Sequence, residues 1–176
     1  HFNVCKVHDV HVVSTPAGEM DVLSMEFIEG ETLSARVHRE GPLPPASARA
    51  VARQVCAGLA QAHRQGVIHG DLKAANVMLG RDADGALRAV ITDFGLAQLQ
   101  RDADTGDRGG TQAYMAPALH RGERATVASD LFALGVLLHV VVSGRSPGPS
   151  VAALSTVPAP IGTAELTRTG PPVLEA

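Results

Sequence analysis

The chain contains 176 residues with a net charge of −3, and 45% of them are hydrophobic, which is the composition of an ordinary globular protein. That length is enough for one domain with a real hydrophobic core. The basic residues are scattered and only 3% of the residues are aromatic, so the sequence lacks the features of a nucleic-acid-binding surface. No secretory leader is recognised, and the apolar run at residues 131–142 is too short to span a membrane.

The cysteines and histidines give no sign of a structural cross-link or zinc site. Cys5 and Cys56 lie far apart without a CxxC pair, which favours a reducing compartment, and we expect a cytoplasmic location. A membrane anchor in a part of the protein outside this chain is the alternative. The eight histidines form no cluster with the spacing of zinc ligands. Because the first residue is His1 rather than methionine, we expect the chain to begin inside a larger protein or to be a partial gene product.

The first forty residues predict a hairpin followed by a short helix. Residues 4–13 are rich in β-branched side chains and predict a strand. A turn with proline and glycine follows, and residues 20–28 predict a second strand. Residues 32–39 then predict a short helix.

A long helix and a second hairpin come next. Prolines and glycine at residues 41–45 break the chain, and residues 46–65 have the apolar spacing of an amphipathic helix with Gly66 as its C-cap. Residues 77–79 and 87–91 predict two short strands around a polar turn.

Between the helix and this hairpin, residues 69–76 place polar groups among apolar neighbours. Asp71 is a carboxylate able to accept a proton or orient a hydroxyl. Lys73 is a point charge suited to a phosphate oxygen. Asn76 offers an oxygen ligand of the kind that Mg²⁺ prefers. A loop whose polar side chains only cap turns is the alternative structural interpretation.

A second polar stretch, residues 91–95, follows the predicted hairpin. Its Asp93 would add a second oxygen ligand for Mg²⁺. A base, a lysine and two oxygen ligands are the groups that phosphoryl transfer requires, because its catalysis is mainly positioning and charge neutralisation. The two stretches together therefore indicate a functional site.

The remainder of the chain predicts one more helix. Residues 102–110 are polar and predict a loop, and a helix beginning at Thr126 or its neighbour is predicted to end at Val142. Asp130 lies in the first turn of that helix, where the negative charge of a carboxylate interacts favourably with the helix dipole. Beyond Gly144 the sequence becomes rich in proline, glycine and alanine without helical periodicity, so we expect a poorly ordered tail.

Four segments, in this order, resemble the motifs of eukaryotic-type serine/threonine protein kinases, of the kind common in bacteria. Residues 69–76 resemble the catalytic loop H-R-D-L-K-x-x-N, and residues 93–95 match D-F-G. Residues 110–117 resemble the end of an activation segment, and residues 129–135 the start of the long buried helix of the C-terminal lobe. The resemblance implies an α+β, protein-kinase-like fold.

The resemblance also implies a division of the chain. Residues 1–31 would be the end of the N-terminal lobe and the hinge, and residues 32–145 the C-terminal lobe. Together they would form a partial kinase domain, and residues 146–176 the tail.

The resemblance assigns chemical roles to the polar residues. Asp71 would orient the substrate hydroxyl and accept its proton, and Lys73 would neutralise the transferring phosphate. Asn76 and Asp93 would bind Mg²⁺, and Thr111 would pack near the catalytic pair and favour serine or threonine substrates. Asp130 would hold the backbone of the catalytic loop.

The implied cofactors are ATP and Mg²⁺, and the implied partner is a protein with a serine or threonine acceptor. Met25 would be the gatekeeper, the backbone of Glu26 and Ile28 would bind adenine, and Met78 would lie beneath it. The nucleotide-binding residues implied in this way are Met25, Glu26, Ile28, Thr32, Met78 and Thr92.

The chain also departs from the family pattern. It contains no G-x-G-x-x-G, and its two lysines, Lys6 and Lys73, do not match the strand lysine that contacts ATP phosphates. Gly70 replaces the usual arginine before the catalytic aspartate, and Ala118 replaces a glutamate. We therefore expect the isolated chain to be weakly active or inactive.

Two other functions stay open at this point. Aminoglycoside- and choline-type phosphotransferases also use H-G-D-x-x-x-x-N, but Lys73, the Phe-Gly after Asp93 and residues 110–117 favour a protein kinase. A pseudokinase that only binds partners is the other alternative. The missing part of the N-terminal lobe favours it, and four retained residues weigh against it, Asp71, Lys73, Asn76 and Asp93.

Overall fold

The computed structural model describes residues 1–16, 18–94 and 112–145. Strands and helices are both present, which confirms the α+β class. In chain order the elements are β1 (Val7–Thr15), β2 (Gly18–Met25), β3 (Glu31–Thr32), α1 (Leu33–Glu40), α2 (Pro45–Arg64), a 3₁₀ turn (Ala74–Asn76), β4 (Val77–Arg81), β5 (Leu87–Ile91), a second 3₁₀ turn (Gln112–Tyr114), α3 (Pro117–His120) and α4 (Val127–Ser143).

The strands form two separate sheets. β1 and β2 are an antiparallel hairpin, whereas β3, β4 and β5 form an antiparallel three-stranded sheet in that spatial order. The segment before β1 joins the second sheet, because Val4 bridges Ile91. The hairpin exposes many apolar side chains, including Val10, Val12 and Met20. The three-stranded sheet instead belongs to the hydrophobic core.

The two predicted strands of the hairpin are confirmed with different bounds. The second was predicted to reach residue 28 but ends at Met25, and residues 26–28 have no regular structure. The chain must leave the hairpin there, because Glu31 and Thr32 pair with Leu79 and Met78 of β4. Neither β3 nor the one-turn helix α3 was predicted.

The predicted helices are confirmed to within a residue at most ends. α1 begins at Leu33 because Thr32 is its N-cap, with the hydroxyl accepting the Ala35 N–H at 3.1 Å. At the end of α2 the C-cap is Gln65, so the prediction of Gly66 was wrong by one position. Gly66 follows with φ of +73°, a conformation that glycine adopts without strain.

Helices α2 and α4 enclose the core with the three-stranded sheet. One face of α2 is buried at helical spacing through Val51, Val55 and Leu59. On α4, Leu137 and Val141 are completely buried. Burial of such side chains contributes roughly 1.5–3 kcal/mol each relative to exposure. The core thus fixes the ends of α2 and α4 beside the loop at residues 69–76.

Helix α4 is delimited by local capping interactions. Thr126 and Ser129 form a capping box at its start, and Gly144 ends it in the left-handed conformation. Within the described residues, none of the helices combines the length and apolar composition that crossing a bilayer requires.

Two helical glycines provide a matched test of packing. A Cβ atom at Gly58 of α2 would lie 2.8 Å from the Asn3 carbonyl oxygen and 2.9 Å from Ile91 Cδ1, whereas one at Gly135 of α4 would meet no described atom within 4 Å. We expect Gly58→Ala to lower the free energy of unfolding by about 1–3 kcal/mol. Gly135→Ala should raise it by roughly 0.5–1 kcal/mol through helix propensity. Urea unfolding measures both, and equal effects of the two substitutions would contradict the close packing at Gly58.

Candidate active site

An ion pair lies at the centre of the loop between α2 and β4. The Lys73 ammonium is 2.7 Å from Asp71 Oδ2. The two side chains are 23% and 19% exposed, so both can still reach a bound molecule. A carboxylate that accepts protons and a cation that neutralises negative charge are therefore held next to each other.

Asn76 connects this pair to the following strand. Its Nδ2 donates to the Asp71 carbonyl oxygen at 3.0 Å, and Asp71 Oδ2 lies 3.4 Å away. Asn76 ends the first 3₁₀ turn and is 7% exposed. Since its amide nitrogen is directed at Asp71, Oδ1 is the amide atom that could bind a hard cation.

The β4–β5 register brings Asp93 close to Asn76. Val77 pairs with Ile91, so the residues just outside this pair are neighbours. The Thr92 N–H donates to the Asn76 carbonyl at 2.9 Å, and the Thr92 hydroxyl lies 3.3 Å from Asp93 Oδ2. Oxygen groups from two parts of the chain thus meet at one end of a hairpin.

The backbone of Asp93 is held in an unusual conformation. Its φ of +61° is the only positive value at a non-glycine residue among the described residues. Such conformations cost free energy and tend to persist at functional sites. The described residues hold no group of three or more histidine, cysteine or acidic side chains suited to a metal. One carboxylate and one amide still fit Mg²⁺, which usually keeps waters and binds substrate phosphates as its other ligands.

His69 is a buried link between the loop and Asp93. Its Nε2 donates to the Thr92 carbonyl at 3.0 Å, and its Nδ1 accepts from the Asp71 N–H at 3.3 Å. Its ring packs against Phe94 with centroids 4.6 Å apart. Burial lowers the pKa of His69, although the Asp130 carboxylate acts in the opposite direction. The neutral imidazole with hydrogen on Nε2 fits both hydrogen bonds.

The lowered pKa of His69 predicts a loss of stability in mild acid. Below about pH 6.5 the unfolded chain binds a proton that the folded chain does not, so the free energy of unfolding should fall by at most about 1.4 kcal/mol per pH unit. The contribution should level off below the depressed pKa and vanish above pH 6.5. His69→Gln should flatten this profile between pH 5 and 7.5 in urea unfolding, and an unchanged profile in that variant would contradict the assignment to His69.

Asp130 anchors the backbone of the loop from helix α4. Its carboxylate is 1% exposed and accepts the N–H groups of His69 and Gly70, each at 2.9 Å. The implied role of Asp130 in holding this backbone is confirmed. Gly70 has φ of +77°, so the glycine that replaces arginine there adopts the required conformation without strain.

His63 is a site residue that the sequence did not reveal. Its Nε2 is 2.8 Å from Asp130 Oδ2, and its side chain is 13% exposed. His63 lies in the last turn of α2 and Asp130 in the first turn of α4. No local pattern connects residues 67 positions apart, and only the fold brings them together.

Tyr114 contacts the first 3₁₀ turn at Ala74. Burial raises the pKa of its hydroxyl, and a hydrogen bond with the backbone of Ala74 partly offsets that effect. Tyr114 also lines a small cavity with Asp71.

The residues implied in nucleotide binding lie on two neighbouring segments. Thr32 pairs with Met78 across β3 and β4, so these two are adjacent. Ile28 is 9% exposed, in the segment that leads to β3. Met25 instead lines an apolar cavity of about 300 Å³ together with Asp93. That cavity includes neither Met78 nor Thr32, so the structure does not combine all these residues in one pocket.

Part of the predicted site falls beyond the described residues. Thr111, Gly95 and the polar loop at residues 102–110 lie outside them, as does the tail at residues 146–176. Their roles stay predictions.

Comparisons with known proteins identify the family. Residues 1–160 match the model of the protein kinase domain. The serine/threonine-protein kinase PkaA of Streptomyces coelicolor is 36% identical over 180 residues, covering 93% of this chain and 32% of PkaA. PknB of Mycobacterium tuberculosis is 35% identical, covering 84% of this chain and 24% of PknB. PknL of the same species is 38% identical, covering 78% of this chain and 34% of PknL.

A solved structure shows the same fold. The crystal structure of Rad53 residues 1–466 in complex with AMP-PNP matches with a TM-score of 0.65 and 26% identity, covering 84% of this chain and 35% of that one. This chain spans about a third or less of the length of each of these proteins. The motifs, the geometry of the loop and the comparisons agree, and the chain belongs to the protein kinase family.

Proposed function

We propose that this chain forms the phosphoryl-transfer centre of a serine/threonine protein kinase that uses ATP and Mg²⁺. The observation that carries the proposal is the hydrogen-bonded arrangement of Asp71, Lys73 and Asn76, together with the hydrogen bond that joins Asn76 to Thr92, the residue before Asp93. Relatives that carry the name serine/threonine-protein kinase favour a protein hydroxyl over a small molecule as acceptor.

The residues divide the chemistry between them. Asp71 orients a serine or threonine hydroxyl and accepts its proton as the oxygen bonds to the γ-phosphorus and the bond to ADP breaks. Lys73 neutralises charge on the transferring phosphoryl group. Asn76 and Asp93 would hold Mg²⁺, which neutralises the phosphate oxygens when bound. Thr111 would favour serine and threonine acceptors.

The nucleotide would lie between the segment after β2 and the three-stranded sheet. The backbone of Glu26 and Ile28 would bind adenine, with Met25 and Met78 on its apolar sides and Thr32 near the ribose. Thr92, whose hydroxyl lies 3.3 Å from Asp93 Oδ2, would contribute to nucleotide binding by orienting the Asp93 carboxylate. In this arrangement residues 1–31 are the end of an N-terminal lobe with its hinge, and residues 32–145 a C-terminal lobe. The protein would act in the cytoplasm, on a protein substrate that supplies a serine or threonine hydroxyl. The AMP-PNP bound to Rad53 supports the nucleotide part of the proposal.

The decisive variant is Asp93→Ala, introduced into the full-length protein and expressed in its native host. Loss of this metal ligand should abolish transfer of phosphate from ATP to a protein substrate, leaving less than about one part in a hundred of the rate. Radiolabelled ATP and a general serine/threonine substrate measure the rate. Thermal unfolding with Mg²⁺ and AMP-PNP measures binding separately, because a ligand of the folded state raises the melting temperature.

Asp84→Ala is the matched control for this experiment. Asp84 is an exposed carboxylate in the turn at the far end of the same hairpin. Its loss should leave transfer and nucleotide binding unchanged. Normal phosphate transfer by Asp93→Ala would refute the assignment of Asp93.

A further inference from the structure

Arg88, the second residue of β5, contacts two separate segments outside its sheet. Its Nη1 donates to Glu26 Oε1 at 2.9 Å, and its Nε and Nη2 donate to the Phe2 carbonyl oxygen at 3.2 and 3.0 Å. Its guanidinium also lies 4.6 Å from the centre of the Phe2 ring. The side chain is only 18% exposed, so its geometry is restricted by its surroundings.

Glu26 is also hydrogen-bonded to Lys6 at the base of the hairpin, where the residues before β1 and after β2 meet. Its N–H donates to the Lys6 carbonyl at 2.8 Å, and its Oε2 accepts from the backbone N–H of Lys6 at 3.4 Å. The hydrogen bond from Arg88 lowers the pKa of the Glu26 carboxyl, so the charged pair persists at neutral pH. Arg88 therefore contacts the segment that precedes β1, at Phe2, and the residue that directly follows β2, Glu26.

The position of Arg88 connects this base to the candidate site. β5 is paired with β4 from Leu87 to Ile91, and Asp93 follows two residues later. Residues 26–28, in contrast, have no regular structure, and Phe27 is 89% exposed. Ile28 is buried and fixes one end of this segment, whereas the other end, Glu26, depends on its hydrogen bonds with Arg88 and Lys6.

We propose that Arg88 is a positioning residue that fixes residues 26–28 relative to β5, and thereby aligns the adenine-binding backbone with Asp93. The part concerning adenine rests on the proposed function. Arginine suits this role because its planar guanidinium donates to Glu26 and Phe2 at once, in a fixed geometry. Preorganisation of a binding segment increases affinity by reducing the entropy lost on binding.

Hydrogen exchange in the absence of nucleotide tests the positioning directly. In Arg88→Ala the Glu26 amide should exchange at least about tenfold faster, because its hydrogen bond to Lys6 opens more often. Arg88→Lys should restore only part of the protection, since a lysine cannot donate to both Glu26 and Phe2 in the same way. The matched control is Arg81→Ala on β4, whose guanidinium donates to the Gly85 carbonyl in the exposed turn and should leave Glu26 unaffected.

Nucleotide kinetics of the native-source protein test the functional part. Arg88→Ala should raise KM for ATP by about five- to tenfold while leaving kcat at saturating ATP within about twofold of wild type. A fall in kcat together with lost protection of all core amides would mean general loss of structure and would overturn the positioning role. Unchanged exchange at Glu26 overturns the positioning role, as does an equal effect of Arg81→Ala. If wild type binds no nucleotide, the proposed function fails, and exchange at Glu26 still decides the role of Arg88.

Discussion

Replacing Asp130 with alanine is expected to lower the free energy of unfolding by about 3–5 kcal/mol. The buried carboxylate accepts hydrogen bonds from His69 N–H, Gly70 N–H and His63. Alanine leaves these donors without their acceptor in a region where water has little access. Urea unfolding monitored by circular dichroism measures the loss, and hydrogen exchange at His69 and Gly70 should accelerate as well.

Asp82 provides a matched control for Asp130. Its carboxylate also accepts two backbone N–H groups, those of Asp84 and Ala86, but it lies in the partly exposed β4–β5 turn. Water can replace those bonds, so Asp82→Ala should cost only about 0.5–1.5 kcal/mol. A loss below about 1 kcal/mol for Asp130→Ala would contradict its role as the anchor of the loop.

The helices could be predicted from sequence because their determinants are local. The apolar positions of α2 recur at helical spacing, and Pro45 stands at its first turn. Thr126 and Gly144 mark the ends of α4 through capping geometry that involves only neighbouring residues. Such interactions leave a pattern in any window of ten to twenty residues, which is why these helix bounds were off by about one residue.

The bounds of β2 and β3 were harder to predict, because they depend on partners far along the chain. β3 consists of two residues that pair with Leu79 and Met78, and two residues carry no periodicity of their own. The end of β2 at Met25 is likewise followed by a contact of Glu26 with Arg88, 62 residues away. The mixed apolar and polar stretch at residues 20–28 therefore predicted a strand that ends three residues too late.

The residues of the candidate site also differ in whether local sequence or distant contacts bring them together. Asp71, Lys73 and Asn76 lie on one short loop, so their proximity follows from spacing alone. Asp93 joins them through the β4–β5 register, which the hairpin pattern already indicated. His63 and Arg88 contact the site only through tertiary packing, and neither has a neighbour in sequence that indicates its role. Residues that anchor a site are thus less visible in a sequence than residues that perform its chemistry.

Replacing Asp71 with asparagine should reduce phosphate transfer by about 10²–10⁴-fold while leaving Mg²⁺-dependent binding of AMP-PNP intact. Asparagine has nearly the same shape as aspartate but cannot accept a proton from the substrate hydroxyl. It also removes the charge that pairs with Lys73 at 2.7 Å. The proposed metal ligands, Asn76 and Asp93, are unchanged in this variant, so binding and turnover should separate. Rates are measured with radiolabelled ATP, and binding by thermal unfolding, in the protein from its native source.

Asp84→Asn is the control for the change in charge, because it makes the same substitution in the exposed turn away from the loop. Wild-type turnover in Asp71→Asn would show that Asp71 is not the base. Loss of AMP-PNP binding would place Asp71 among the groups that hold the nucleotide or its metal. The separation of binding from turnover therefore distinguishes a proton acceptor from a ligand, which the short distances among Asp71, Lys73 and Asn76 do not distinguish by themselves.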